Sequence, residues 1–408
     1  MQTGMAELDQ TLAAAVKGYA WLPDLRRAAG GRPAHLRVMG QPALAICGPE
    51  ATRFLYAAGN FERHTALPSL VVSTLFGKGA VHTLDGDAHR ARKALFVSLL
   101  TGDGVGEAAK LTGEAFDEAV AGWRGAGAIT LFDESARVIA RGVTRWAGVP
   151  VEDREIPGLA ADLVAMVDGF ATVGPRHWRA LRARHRRERW LAGLIEDVRA
   201  ERVTVAADSA LAQVAFFHED GGPLEPRTAA VELLNIIRPA TAVAWFVAYA
   251  AHALDRWPQH AAALHTGDDA VTDAFVHEVR RFYPFAPFLG GRATHHMLFD
   301  GEEVPSGSLV LLDVYGQNHD PQLWSDPYTF DPKRFADREI GAFDLIPQGG
   351  GDPRTGHRCP GEQLTVALLG TLVQRLARLD YYLPPQDLSI DLSRIPARVA
   401  SGVRIVVP

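Results

Sequence analysis

Apolar positions along the chain change their period several times, and each change predicts an element. Near the N-terminus, LRVMGQPALAICGPEA (residues 36–51) alternates and stops at Gly-Pro, which predicts a small strand pair. From Glu50 to about Asp220 the spacing is mostly helical, with Gly and Pro as punctuation. Within it, residues 175–202 predict an amphipathic helix with a dense basic stripe, read as a solvated face. Pro226 to Arg256 predicts one long apolar helix broken by Pro239, and Asp268 to Phe282 a second. Short alternating runs from Phe288 to Tyr315 predict strands with turns. A long aperiodic stretch from Thr329 leads into a final helix, Glu362 to Leu379, and the tail predicts short strands. Loops this long inside a compact domain are usually functional. With no repeat and no clean linker, the pattern predicts one domain over residues 1–408, mainly α with small β-sheets.

Composition narrows the setting. The 408 residues are about half hydrophobic and carry a net charge of −6, which gives no reason to expect a nucleic-acid or membrane-surface partner. Trp178 and Trp190 are too sparse on the basic stripe for a base-stacking platform. Two distant cysteines, Cys47 and Cys359, form no disulfide framework and suit a reducing cytoplasm. The N-terminal residues lack a basic start followed by an apolar run, so no signal peptide is expected. Pro239 to Leu254, the most apolar run, falls short of the roughly 20 residues needed to span a bilayer.

Chemistry enters at GHRCPGEQL. Cys359 precedes a predicted helix, whose N-terminal dipole and free N–H groups favour a thiolate. His357 and Arg358 add positive charge. Such a sulfur suits a soft-metal ligand or a nucleophile; a hydrolase would also need His and Asn or Asp partners, which sequence alone does not place. A second anomaly is NIIRPATAVAW (residues 235–245). Here a guanidinium, Arg238, sits in an apolar helix beside Pro239, a residue that costs about 3 kcal/mol in a helix interior. Pairing with Glu232 is disfavoured because it lies six positions back, off the same face.

Three motifs in order, HEVRRF with Glu278 and Arg281, FDPKRF with Arg334, and GHRCPG with Cys359, resemble the cytochrome P-450 family of haem-thiolate enzymes. The resemblance covers essentially the whole chain. It implies the family's single triangular-prism fold, haem b as cofactor, Cys359 as iron ligand, and a structural ion triad of Glu278, Arg281 and Arg334. Two departures are informative. Asp352 stands where the family has Phe, and RPAT lacks the usual acid-alcohol pair for proton delivery. Both departures, with IPQGGGDPRTG, MVDGF, GPRHW and YGQNHDP, resemble the bacterial fatty-acid peroxygenase subgroup.

That resemblance implies hydrogen-peroxide-dependent oxidation of long-chain fatty acids at the α or β carbon, with hydroxylation and decarboxylation to terminal alkenes as outcomes. No redox-partner protein is implied. Arg238 would grip the substrate carboxylate through two parallel charge-assisted hydrogen bonds, with Pro239 opening the helix beside it. The carboxylate would then pass a proton between the peroxide oxygens. His82 is implied over the haem, where a protonated imidazole would help hold the carboxylate and favour alkene formation. Phe76, Phe170 and Phe288 are implied to line the acyl channel, with core packing an equal reading. His89, Lys93, Arg92 and Arg63 are implied at the haem propionates, and Arg358 in the same cofactor-binding set. Competing readings are an NAD(P)H-fed monooxygenase with a reductase, and a non-catalytic haem sensor, in which Arg238 has no purpose.

Overall fold

Strands β1 (Ala34–Val38) and β2 (Gln41–Ile46) form the expected pair, in antiparallel register from Val38↔Gln41 to Ala34↔Ala45. The two-residue turn between them, Met39 and Gly40, has positive φ at both positions, the geometry that matches the twist of a tight hairpin. The computed structural model describes residues 8–66, 68–219 and 221–408. The leader expectation therefore falls partly on residues 1–7, and the boundary at Asp220 on another position, both outside the described residues. Strands β3 (Phe61–Glu62), β4 (Phe288–Ala293) and β5 (Leu309–Asp313) complete a five-stranded sheet in the order β1-β2-β5-β4-β3. Among these five strands β2 and β5 pair in parallel, and the other neighbours pair antiparallel.

The helical body follows the predicted periods. Its main helices are α1 (Gly86–Leu100), α2 (Asp103–Trp123), α3 (Leu131–Ala147), α4 (Ile156–Asp168) and α5 (Pro175–Arg199). A Cβ on Gly142 would lie 2.5 Å from the Thr112 Cα, so a bare glycine is what lets α2 and α3 cross closely. The basic stripe of α5 is not all solvated: Arg184 and Glu188 are buried and paired at 2.6 Å.

The long apolar helix divides into α6 (Pro226–Thr241) and α7 (Val243–Arg256). The break lies at Ala242, one turn beyond Pro239. Proline displaces the carbonyl of the preceding turn, and the ladder recovers through tight bonds from Ala242 N–H to the Pro239 carbonyl and from Trp245 N–H to that of Ala242. Read as one element, Pro226–Arg256 is long and apolar enough to cross a membrane, longer than the sequence reading allowed; 89% of its most apolar window is buried inside the fold.

Helix α8 (Asp269–Phe282) is capped by Asp268, whose carboxylate accepts from the Ala270 and Val271 amides. Helix α9 (Glu362–Arg378) closes the body. The tail forms less strand than expected: one short strand, Arg404–Val406, and isolated bridges at Tyr382 and Ile390. Mainly helical architecture with small sheets is thus as the sequence predicts.

Candidate active site

The loop before α9 positions Cys359. Its amide donates to the Gln348 carbonyl at 3.1 Å, and the Gln348 side chain reaches back to Sγ at 3.7 Å and to the Thr365 hydroxyl at 3.0 Å. Asp352, where a Phe was expected, accepts from the Arg354 amide at 2.8 Å and the Thr355 hydroxyl at 3.1 Å, so it folds the loop by hydrogen bonding instead of packing. Among the protein groups alone, burial pushes the thiol pKa up, while the Gly361 amide and Lys93 pull it down.

Arg358 also departs from its expected role. Its guanidinium pairs with Glu362 at 2.7 Å and donates to the Gly351 carbonyl at 3.1 Å. Glu362 in turn pairs with Arg280, which also donates to the Gln348 amide oxygen at 3.1 Å. Arg358 is therefore part of the brace around Gln348 and Glu362.

A cationic rim gathers at the start of α1. His89 is buried and stacks on His357 with ring centroids 4.1 Å apart. Burial, helped by His357 and Lys93, pulls the His89 pKa down to about 4. Lys93 donates to the Arg358 carbonyl at 2.6 Å, and burial lowers its pKa to about 8. Arg63 lies over the Tyr56 ring at 5.2 Å, donates to the Gly290 carbonyl, and leaves Nε without a partner. Asp85, which the sequence reading passed over, ties this rim together. It accepts from the His357 ring at 3.1 Å, the His64 ring at 2.8 Å and the Arg63 and His64 amides. Burial opposes its charge, but these hydrogen bonds outweigh it and hold the carboxyl below the usual range.

Arg92 does not belong to that rim. It pairs with Glu232 at 2.9 Å and with Glu219 through two nitrogens, and it donates to the Gly79 carbonyl at 2.5 Å. A guanidinium with its donors so engaged is not available to a propionate. The same pairing removes Glu232 as a partner for Arg238.

Arg238 itself is 5% exposed. Its one hydrogen-bond partner among the described residues is the Asn235 amide oxygen at 3.5 Å, and Nε has none. Burial, with Arg184 adding to it, pulls the Arg238 pKa down to about 9, while Cys359 pulls it up. The guanidinium still carries its charge at neutral pH, buried and without a carboxylate. Thr241, one turn on, has an unpaired buried hydroxyl.

His82 faces the same region. Its ring stacks on Phe76 with centroids 4.3 Å apart, and Nδ1 makes no hydrogen bond. Burial first, then Arg238 and Lys93, drives its pKa well below the ordinary value. The protein groups around the ring therefore favour neutral imidazole. Arg184 of α5, missed within the basic stripe, donates to the Leu75 and Phe76 carbonyls at 2.7 and 2.6 Å. Phe288 packs edge-on against Trp21 of the N-terminal cluster, its packing alternative, and Phe170 lies half-buried just beyond α4.

Glu278 and Arg281 form two hydrogen bonds of 2.7 Å, and Arg334 joins Glu278 at 3.1 Å. The Arg281 guanidinium also donates to the Asn318 and Pro327 carbonyls, at 2.9 and 2.8 Å. The three residues expected as a triad are thus in contact.

Cys359, Lys93, His82 and Arg238 lie close enough to act on one another's charge, Arg63 acts on His357 beside them, and Arg63, His82 and Arg238 each keep an unpaired buried nitrogen. Those features fit a planar metal cofactor with carboxylate arms: Cys359 could ligate the metal, and Arg63, Lys93 and His89 could meet the carboxylates.

A cytochrome P450 family model matches residues 270–380, from α8 through the Cys359 loop and past the end of α9. A structure of cytochrome P450EX alpha (CYP152N1) with myristic acid superposes with a TM-score of 0.94 at 33% identity, covering 99% of this chain and 97% of that one. Cytochrome P450SP alpha (CYP152B1) in complex with (R)-ibuprophen is 37% identical over 98% of both chains, again with a TM-score of 0.94. A variant of cytochrome P450 OleT in complex with arachidonic acid is 34% identical over 99% and 96% of the two chains, with a TM-score of 0.94. Among curated relatives, cytochrome P450 4A7 of Oryctolagus cuniculus is 30% identical over 139 residues, 33% of this chain. That match spans only 26% of the relative's length. With the whole chain superposing on the CYP152 structures, it belongs to the cytochrome P450 family.

Proposed function

We propose that this chain uses hydrogen peroxide to oxidise long-chain fatty acids at the α or β carbon. The P450 family implies a haem cofactor, and we assign it as haem b held by Cys359. Free thiols at Cys47 and Cys359 suit work in a reducing cytoplasm. The observation that carries the reading is Arg238: a buried guanidinium with no carboxylate partner among the described residues, while Glu232 of the same helix pairs with Arg92. A buried charge without a partner costs stability, so the site is built for an anion that arrives from outside. A fatty-acid carboxylate supplies the matching bidentate geometry. Support comes from the solved relatives that hold myristic and arachidonic acids.

When bound, the haem would supply oxidising chemistry, with electron donation from a thiolate favouring O–O cleavage. The chain's own residues do the rest. Lys93, His89 and Arg63 would hold the propionates. Arg238 would fix the substrate carboxylate, which can carry a proton from one peroxide oxygen to the other. Neutral His82 would stand beside that carboxylate as a hydrogen-bond partner, and an arriving anion would raise its pKa again. Hydroxylation turns acid and peroxide into hydroxy acid and water. Decarboxylation turns them into terminal alkene, carbon dioxide and two waters.

The test is product analysis with purified haem-loaded protein and a saturated long-chain acid. Peroxide alone should give hydroxy acids, with terminal alkene beside them. Turnover only with NAD(P)H and a reductase would replace this reading with that of a conventional monooxygenase.

A further inference from the structure

Glu232, Asn235 and Arg238 recur at three-residue intervals, so each lies about one turn further along α6 and is stepped round it from the last. The segment that carries Phe76 and His82 is tied to the first two of them. Asn235 donates to the Phe76 carbonyl at 2.7 Å, and Glu232 accepts the Val81 amide at 2.8 Å. Arg92 holds the Gly79 carbonyl and Glu232 together, and Glu219, in the strand His218–Glu219, holds Arg92 in turn.

Two features make this clamp more than packing. Gly77 and Gly79, flanking Lys78, both have positive φ, so the chain between Phe76 and Val81 has little intrinsic preference for its path. A Cβ on Gly77 would also come 2.3 Å from the Arg184 guanidinium, so no side chain can steady that point. His82 makes no hydrogen bond through Nδ1 and is held by stacking and by its neighbour Val81. A buried ion pair is seldom retained for stability alone, because its desolvation offsets its attraction.

We infer that Glu232, held by Arg92, is a positioning residue for product choice: by fixing the Val81 amide it sets where the His82 ring stands relative to the Arg238 anchor. This rests on the proposed function for its product readout, but not for its structural one.

The test uses haem-loaded Glu232→Gln, which keeps an acceptor of the same length and drops the charge, with Glu219→Gln as a milder second variant should the first not fold. Amide exchange of residues 77–84 should rise by about tenfold in Glu232→Gln, as expected when a local clamp opens. The distribution of products should change by about twofold or more while fatty-acid affinity stays within about twofold, and the change should vanish in a His82→Ala background, as coupled sites require. Unchanged exchange together with unchanged products would overturn the inference. So would a product change of equal size in the His82→Ala background. If the wild type does not oxidise fatty acids with peroxide, the proposed function fails, while the exchange arm still decides the clamp.

Discussion

Two buried arginines, Arg281 and Arg238, are treated in opposite ways. Arg281 meets Glu278 through two 2.7 Å hydrogen bonds and spends its remaining donors on backbone carbonyls of the loop 318–329. Arg238 has a single contact of 3.5 Å and an orphaned Nε. Both are 5% exposed or less. Burial with full satisfaction marks a brace; burial without it marks a place where the missing counter-charge is a ligand. The same contrast separates Arg92 and Arg358, both engaged by carboxylates, from Arg63, which has no carboxylate ion pair among the described residues. A free Nε alone is not the marker, since Arg280 keeps one while paired with Glu362.

The comparison breaks most visibly at the brace. Glu278→Ala leaves Arg281 and Arg334 facing each other without a counter-charge, and should cost about 3–5 kcal/mol, read from the shift in a urea unfolding curve. A loss under about 1 kcal/mol would place the triad among weak surface pairs. Between the two regions, Cys359→Ser should abolish the thiolate-type spectrum of the ferrous carbon monoxide complex; an unaltered spectrum would remove Cys359 as ligand. At the unsatisfied region, His82→Gln should shift products towards hydroxylation with fatty-acid binding retained, because an amide bonds the carboxylate but relays no proton. An unchanged ratio of alkene to hydroxy acid would contradict it.

A smaller, pH-dependent effect sharpens the brace further. Burial, with Arg281 adding to it, lowers the His319 pKa from 6.5 to about 4. The folded protein therefore binds fewer protons than the unfolded chain between those values. Stability from this group is full above about pH 6.5 and drains as pH falls towards 4. His277, held at about 4 by burial and Arg280, acts in the same direction. Unfolding midpoints measured at pH 7 and pH 5 should fall with acid, and His319→Gln should flatten that slope.

Much of this was legible in the chain. Helical periods located α6 to α9, and residue types at fixed spacing singled out Cys359, Glu278, Arg281 and Arg238. What stayed hidden depends on pairings across long separations. Nothing near Arg92 in sequence announces Glu219 or Glu232, and nothing near Asp85 announces His357. The dense arginines of α5 look uniformly solvated, although Arg184 turns inward to Glu188 and the Phe76 carbonyl.

The most direct measurement compares wild type with Arg238→Ala and Arg238→Met, following fatty-acid binding, peroxide-driven turnover and unfolding midpoint together. The account predicts that both variants lose binding and turnover by at least about a hundredfold, the loss expected when a charge-assisted bidentate pair worth about 3 kcal/mol disappears. It also predicts that Arg238→Met unfolds no earlier than wild type, since it removes a buried charge that has no partner. Near-normal turnover in either variant, or a Met variant destabilised as strongly as Glu278→Ala, would contradict the assignment of Arg238 as a site kept open for a carboxylate.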